Sequence, residues 1–181
     1  MIIGHSVDHR PIVATRVGDP AAAVRVLVVG DIHGNERAGE RIVARLRRAH
    51  PDGVRLWLLR TVNPDGVADG TRQNARGVDL NRNFPFRWQA GPRGTYYPGP
   101  RPASEPETRA VMRLVRRVRP QLAIFYHQHL RMVVRARGAD PAIQRRYARR
   151  TGLPLRSLPD YRGTAVGWEN RVVAGGSGYS A

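Results

Sequence analysis

Cysteine is absent from the 181-residue chain. That excludes a disulfide framework and a thiolate metal site, so any metal must be held by His, Asp or Glu. Lysine is absent too. All 31 basic residues are arginine, set against 14 acidic ones, for a formal net charge of +17. No apolar run approaches the length of a membrane span, so no membrane partner is expected. The segment from Met1 to Gly18 lacks a basic stretch followed by an apolar core and cleavage site. No secretory signal is read there, and the expected location is the cytoplasm. The arginines are scattered, without a basic block or interleaved aromatics, so no specific nucleic-acid partner is expected. The charge suits anionic material such as acidic peptides or cell-wall polymer.

What is present fits one domain over residues 1–181. With 41% hydrophobic and 25% charged residues, the chain can bury a core of its own. Val24 to Val29, "VRVLVV", predicts a buried strand that stops at Gly30. Ala38, Ile42, Val43 and Leu46 recur at helical spacing and predict a helix. Pro51-Asp52-Gly53 is a turn, Val54 to Arg60 a second strand, and Asn63-Pro64-Asp65-Gly66 the turn that closes it. From Val67 to Pro102 there is no period, and a structureless stretch of that length points to function.

"SEPE" at Ser104 to Glu107 predicts a capping box, with Ser104 as cap and Glu107 reaching back. The helix it opens carries Val111, Leu114, Val115 and Val118 on one face and stops before Pro120. A third strand, "LAIFY", runs straight into His127. Asp140 and Pro141 predict the cap and first turn of a helix ending at Gly152. The tail from Leu153 to Ala181 is rich in Gly, Pro and Ser, and no element is read in it. The alternation predicts an α/β fold: a mainly parallel mixed sheet flanked by helices. Ligands bind such sheets beyond the carboxyl ends of the strands, and three polar clusters fall there.

The first cluster, "GDIHGNERAGE", places His33 and Glu36 three apart at a strand-to-helix turn, where both can face one ion. By itself that spacing equally describes a turn histidine and a glutamate favouring a helix dipole. The second, "TRQNARGVDLNRNFP", gathers Arg72, Arg76, Asn81, Arg82 and Asn83. Guanidinium groups bind carboxylates in two-pronged fashion and stabilise oxyanions, though a solvated arginine-rich loop would look the same. The third is "YHQH", Tyr126 to His129. One of its histidines would complete a His₂Glu set, a catalytic zinc pattern with an open position for water. If the strand continues, His127 and His129 share a face.

These segments together resemble the zinc metallocarboxypeptidase family, the carboxypeptidase A-like enzymes. "HGNE" is similar to its H-x-x-E motif, "NPDG" to its loop of that kind, and "RGVDLNRNFP" to its G-V-D-x-N-R-N segment; "SEPET" also fits. The wording is most like the bacterial murein peptide amidase branch. Four segments in family order are far more specific than any one, and weaker matches reach "IGHSVDHRPI" and "GTAVGWEN".

The resemblance implies a Zn²⁺ cofactor held by His33, Glu36 and His127, the last being first after the strand. It implies Arg72 at the oxyanion, and Asn81 and Arg82 on the terminal carboxylate of a peptide substrate. Asp79 and Asn83 are read as structural. The family also uses a general-base glutamate on a late apolar strand. None is read after "GTAVGWEN", where Glu169 is taken as a loop residue. The expectation is therefore a domain lacking its last elements. The alternatives are a zinc-bearing peptide-binding relative and an aspartoacylase-like deacylase, which the "NPDG" loop argues against.

Overall fold

The computed structural model describes residues 1–173 and 177–181. The strands in chain order are β1 (Ile2–His5), β2 (Pro11–Gly18), β3 (Val24–Val29), β4 (Val54–Leu59), β5 (Leu122–Phe125), β6 (Val133–Val134), β7 (Leu155–Arg156) and β8 (Ser177–Ser180). The helices are α1 (Ala38–Leu46), α2 (Pro64–Asp69), α3 (Pro106–Val118), α4 (Pro141–Thr151) and α5 (Ala165–Val172).

One sheet runs β1-β2-β4-β3-β5-β8, and β6 pairs separately with β7. β3 lies at its centre, parallel to β4 and β5. β8 is parallel to β5, while β1 and β2 form an antiparallel edge. This is the mixed, mainly parallel sheet flanked by helices that the sequence predicts. The alternation along β3 divides the core. Leu27 and Val29 pack with the apolar face of α3, Val111, Leu114, Val115 and Val118. Val28 faces the other way, with Leu58 and with Val43 of α1.

Three local expectations are corrected. Asn63-Pro64-Asp65-Gly66 opens α2 rather than forming an isolated turn. Asn63 accepts a hydrogen bond from the Gly66 N–H at 2.9 Å, and the helix ends at left-handed Gly70. A turn and a helix start use the same residues, an Asx acceptor followed by proline. The Ser104–Glu107 capping box does not form. Ser104 donates to Glu105 at 2.6 Å, and Glu107 is fully buried, accepting from the Val7 N–H and from Asn74. It fastens the N-terminal hairpin to the loop instead of capping its own helix. The tail holds β7, α5 and β8. Thr164 caps α5 by accepting from Gly167, and Glu169 sits on that helix, not in a loop.

Candidate metal centre

β3 ends at Val29, and the chain turns through Gly30 to Glu36 before α1 begins. The turn is tight because backbones touch there. A methyl group on Gly39 would lie 1.9 Å from the Gly30 oxygen and 2.7 Å from Cβ of Tyr126. This close approach lets α1 rest on the ends of β3 and β5, bringing His33 and Glu36 beside His127. Gln128 completes the junction: its side-chain oxygen accepts from the Ala38 N–H at 2.7 Å, at the start of α1.

His33 is buried, and its Nε2 lies 3.0 Å from Asp79 Oδ1. Its Nδ1 is 3.0 Å from Glu36 Oε1, yet without hydrogen-bond geometry and with no other partner. Glu36 Oε2 is 2.8 Å from His127 Nδ1, and the two imidazole rings are 5.0 Å apart. One ligand atom from each of His33, Glu36 and His127 lies within 4.8 Å of the others. An unpartnered buried ring nitrogen aimed at two further donors, one carboxylate and one imidazole, is a donor set that fits zinc. His129 is exposed at the cavity wall and stands outside this group.

The surroundings match that chemistry. Burial opposes the charge on Glu36, but the hydrogen bond from His127 and the close approach and charge of both histidines outweigh it and hold the acid well below the usual carboxylate range. Burial pushes the His127 imidazole down, toward the neutral ring a metal requires. Burial likewise opposes the Asp79 carboxylate, but its bond to His33 and the charges of His33, Arg72 and Arg82 keep it ionised.

Asp79 therefore does more than satisfy its loop. It orients His33, as carboxylates behind metal-bound histidines do. It also accepts from Arg72 Nε and Nη2 at 3.1 and 2.9 Å, and it caps the 3-10 turn Leu80–Arg82 through the Asn81 N–H. An aspartate two residues before an Asn-Arg pair was the available signal. Asn83 is structural as expected, donating to Pro98 and Ser104 and accepting from the Glu105 N–H.

Arg72 also reaches Glu36 through Nη1 at 3.2 Å. Asn81 accepts from the Ala165 N–H at 3.0 Å, which ties the loop to α5, and its amide nitrogen is 3.5 Å from His127. Arg82 donates to the Asn81 carbonyl at 2.7 Å, and burial lowers its pKa. Tyr161, to which the sequence assigns no role, lies over Arg82 with the guanidinium carbon 4.6 Å from its ring centre. His33, Glu36, Arg72, Asn81, Arg82 and His127 all line one cavity of about 1010 Å³. Among the described residues, the carboxylates lining it are Glu36 and Asp160, the latter paired with Arg87. Glu169 is not at its wall. It is fully buried with both oxygens unpartnered, and burial raises its pKa to about 8.

Residues 1–149 match the family model described as zinc carboxypeptidase, Peptidase_M14. The chain belongs to the zinc carboxypeptidase family. Murein peptide amidase A of Escherichia coli K12 is 35% identical over 118 residues, covering 58% of this chain and 49% of that one. Carboxypeptidase SOL1 of Arabidopsis thaliana is 29% identical over 136 residues, 65% of this chain and 26% of that one. The crystal structure of murein-tripeptide amidase MpaA from E. coli O157 superposes with a TM-score of 0.83 at 28% identity, covering 100% of this chain and 81% of that one. Carboxypeptidase A from Helicoverpa armigera shares the fold at 18% identity, with a TM-score of 0.84 over 99% of this chain and 58% of that one. The chain thus spans about half the length of the curated murein amidases it matches. Among the described residues, no helix is long and apolar enough to cross a membrane.

Proposed function

We propose that this zinc carboxypeptidase-family chain acts on peptides with a free C-terminal carboxylate, removing the terminal residue, with cell-wall (murein) peptides as the substrate class. The observation that carries the reading is a single cavity. It joins a His33–Glu36–His127 group with atoms within 4.8 Å to three cationic or amide side chains, Arg72, Asn81 and Arg82. The 35% identity to a murein peptide amidase supports the substrate class.

Held by His33, Glu36 and His127, zinc would supply a Lewis acid and a water activated at neutral pH. Arg82 and Asn81 bind the terminal carboxylate, since a half-buried guanidinium beside an amide suits a two-pronged anion. Arg72 faces the reacting carbonyl and stabilises the oxyanion. Its three hydrogen bonds to Asp79 and Glu36 fix its plane in advance. Asp79 holds the His33 ring.

The lining carboxylates favour a second reading. Glu36 is committed to both histidines and Asp160 to Arg87, so the described residues would bind such a peptide more readily than turn it over. Metal analysis of the purified protein tests the shared premise. We expect one zinc per chain, lost in His33→Ala; a metal-free native protein would end both readings. Release of a terminal residue from a murein-type peptide, set against binding of the same peptide, then separates hydrolysis from capture.

A further inference from the structure

Arg82 makes one hydrogen bond among the described residues, to the Asn81 carbonyl. Its remaining N–H groups are available to an anion, so something other than hydrogen bonding must hold its plane. Burial is the main cause of the lowered Arg82 pKa, and Arg72, nearby with the same charge, adds to it. Tyr161 lies over Arg82 alone, its ring centre 4.6 Å from the guanidinium carbon, and Tyr96 is the ring common to both arginines. The Arg72 guanidinium carbon lies 5.1 Å from its ring centre and that of Arg82 5.6 Å.

Tyr96 is 63% exposed, which taken alone describes an idle surface residue. Its loop, however, is pinned on both sides. The Gly94 carbonyl accepts from the Gln73 side chain at 3.2 Å, and the Tyr97 carbonyl accepts from the Asp79 N–H at 2.8 Å. Asp79 therefore fixes Arg72 with its carboxylate and the Tyr96 loop with its backbone.

We propose that Tyr96 is a positioning residue: its ring ties the Arg82 guanidinium to that of Arg72, which Asp79 and Glu36 already fix, and so sets how tightly the cavity grips a carboxylate. The proposal rests on the carboxypeptidase reading, because it supposes that Arg82 meets a carboxylate. The physical cause is the negative face of the ring, which attracts both cations and offsets their mutual repulsion. An aliphatic side chain of similar bulk would fill the space without that attraction. A phenylalanine would keep it.

The test compares 3-phenylpropanoate with 3-phenylpropanamide, a carboxylate and its neutral amide with no peptide bond to cleave. Each is titrated calorimetrically into the zinc-loaded full chain. The wild type is expected to favour the acid. Tyr96→Phe should keep that preference. Tyr96→Leu should shrink it about three- to tenfold, the scale of a lost cation–π contact, with amide affinity, zinc content and melting temperature unchanged. A Leu variant that retains the wild-type ratio overturns the proposal, as does a Phe variant as weak as Leu. A wild type that binds acid and amide equally well sinks the carboxypeptidase reading first, and the proposal with it. The two failures are thereby told apart.

Discussion

Glu169 and Asp79 show how two buried acids of one domain are set in opposite directions. Asp79 has a histidine and two arginines around it and stays charged. Glu169 has no partner among the described residues, and burial raises it from 4.5 to about 8. For an acid raised on folding, the folded state keeps its proton longer than the unfolded chain. Below pH 4.5 both states are protonated and nothing is lost. Between 4.5 and about 8, each pH unit removes on the order of 1.4 kcal/mol of stability, and the loss levels off above that. Glu169→Gln should therefore melt higher than wild type at pH 8 and converge with it near pH 4. Parallel melting curves across that range would show that the carboxyl finds a partner. Asp79→Asn tests the other direction: zinc affinity, read by competition with a chromophoric chelator, should fall about 10- to 100-fold. Both acids were seen in the sequence, but their settings were not. Burial and partners are tertiary facts, and a string of residues shows neither the distance from Asp79 to His33, 46 positions away, nor the closed surroundings of Glu169.

At the scale of elements, legibility followed the strength of the local pattern. The cores of β3, β4 and β5 are unbroken apolar runs, and α1, α3 and α4 have clear apolar spacing or proline starts. All were readable. β2 carried a fainter mark: Ile12 and Ala14 are buried in alternation with exposed neighbours, a period of two across only two residues. α5 and β8 hide in a glycine- and serine-rich tail because their burial comes from neighbours, not from their own apolar content. The ligand turn was legible as a motif, while its geometry depends on a contact between α1 and the sheet. Gly39→Ala checks that contact directly. With the Gly30 oxygen only 1.9 Å from the added carbon, helix and strand must separate. The cost is about 1–3 kcal/mol, several degrees in melting temperature, and zinc binding should weaken with it, because His33 and Glu36 ride on the displaced turn. A variant of normal stability and normal zinc affinity would show that α1 does not set the site.

For the molecule as a whole, the family was readable from four short segments in order: one follows β3, one opens α2, one carries the 3-10 turn Leu80–Arg82 and one opens α3. The charge is a global feature that no motif interprets. A formal +17 invites nucleic-acid binding, yet arginines with carboxylate, carbonyl or aromatic partners are spread over the fold: Arg10 on Asp65, Arg25 on the Val118 carbonyl, Arg72 on Asp79 and Arg116 over Trp168. Retention on immobilised DNA should be weak, independent of sequence and abolished steeply by salt. Tight, sequence-selective retention at physiological salt would contradict this.

His127 and Glu36 are 91 residues apart in the chain, and they meet only because β3 and β5 lie side by side. A metal shared between them is thus a cross-link between distant parts of a polypeptide that has no cysteine with which to make one. The unfolded chain cannot present these donors together, so zinc binds the folded form almost alone. At a free concentration a hundred times its dissociation constant, the ion should add about 2.7 kcal/mol to the folding free energy. Melting temperature should then climb with the logarithm of added zinc, and a chelator should lower it to the value of His33→Ala. The centre that serves the substrate would also be the clasp that keeps the two halves of the sheet closed.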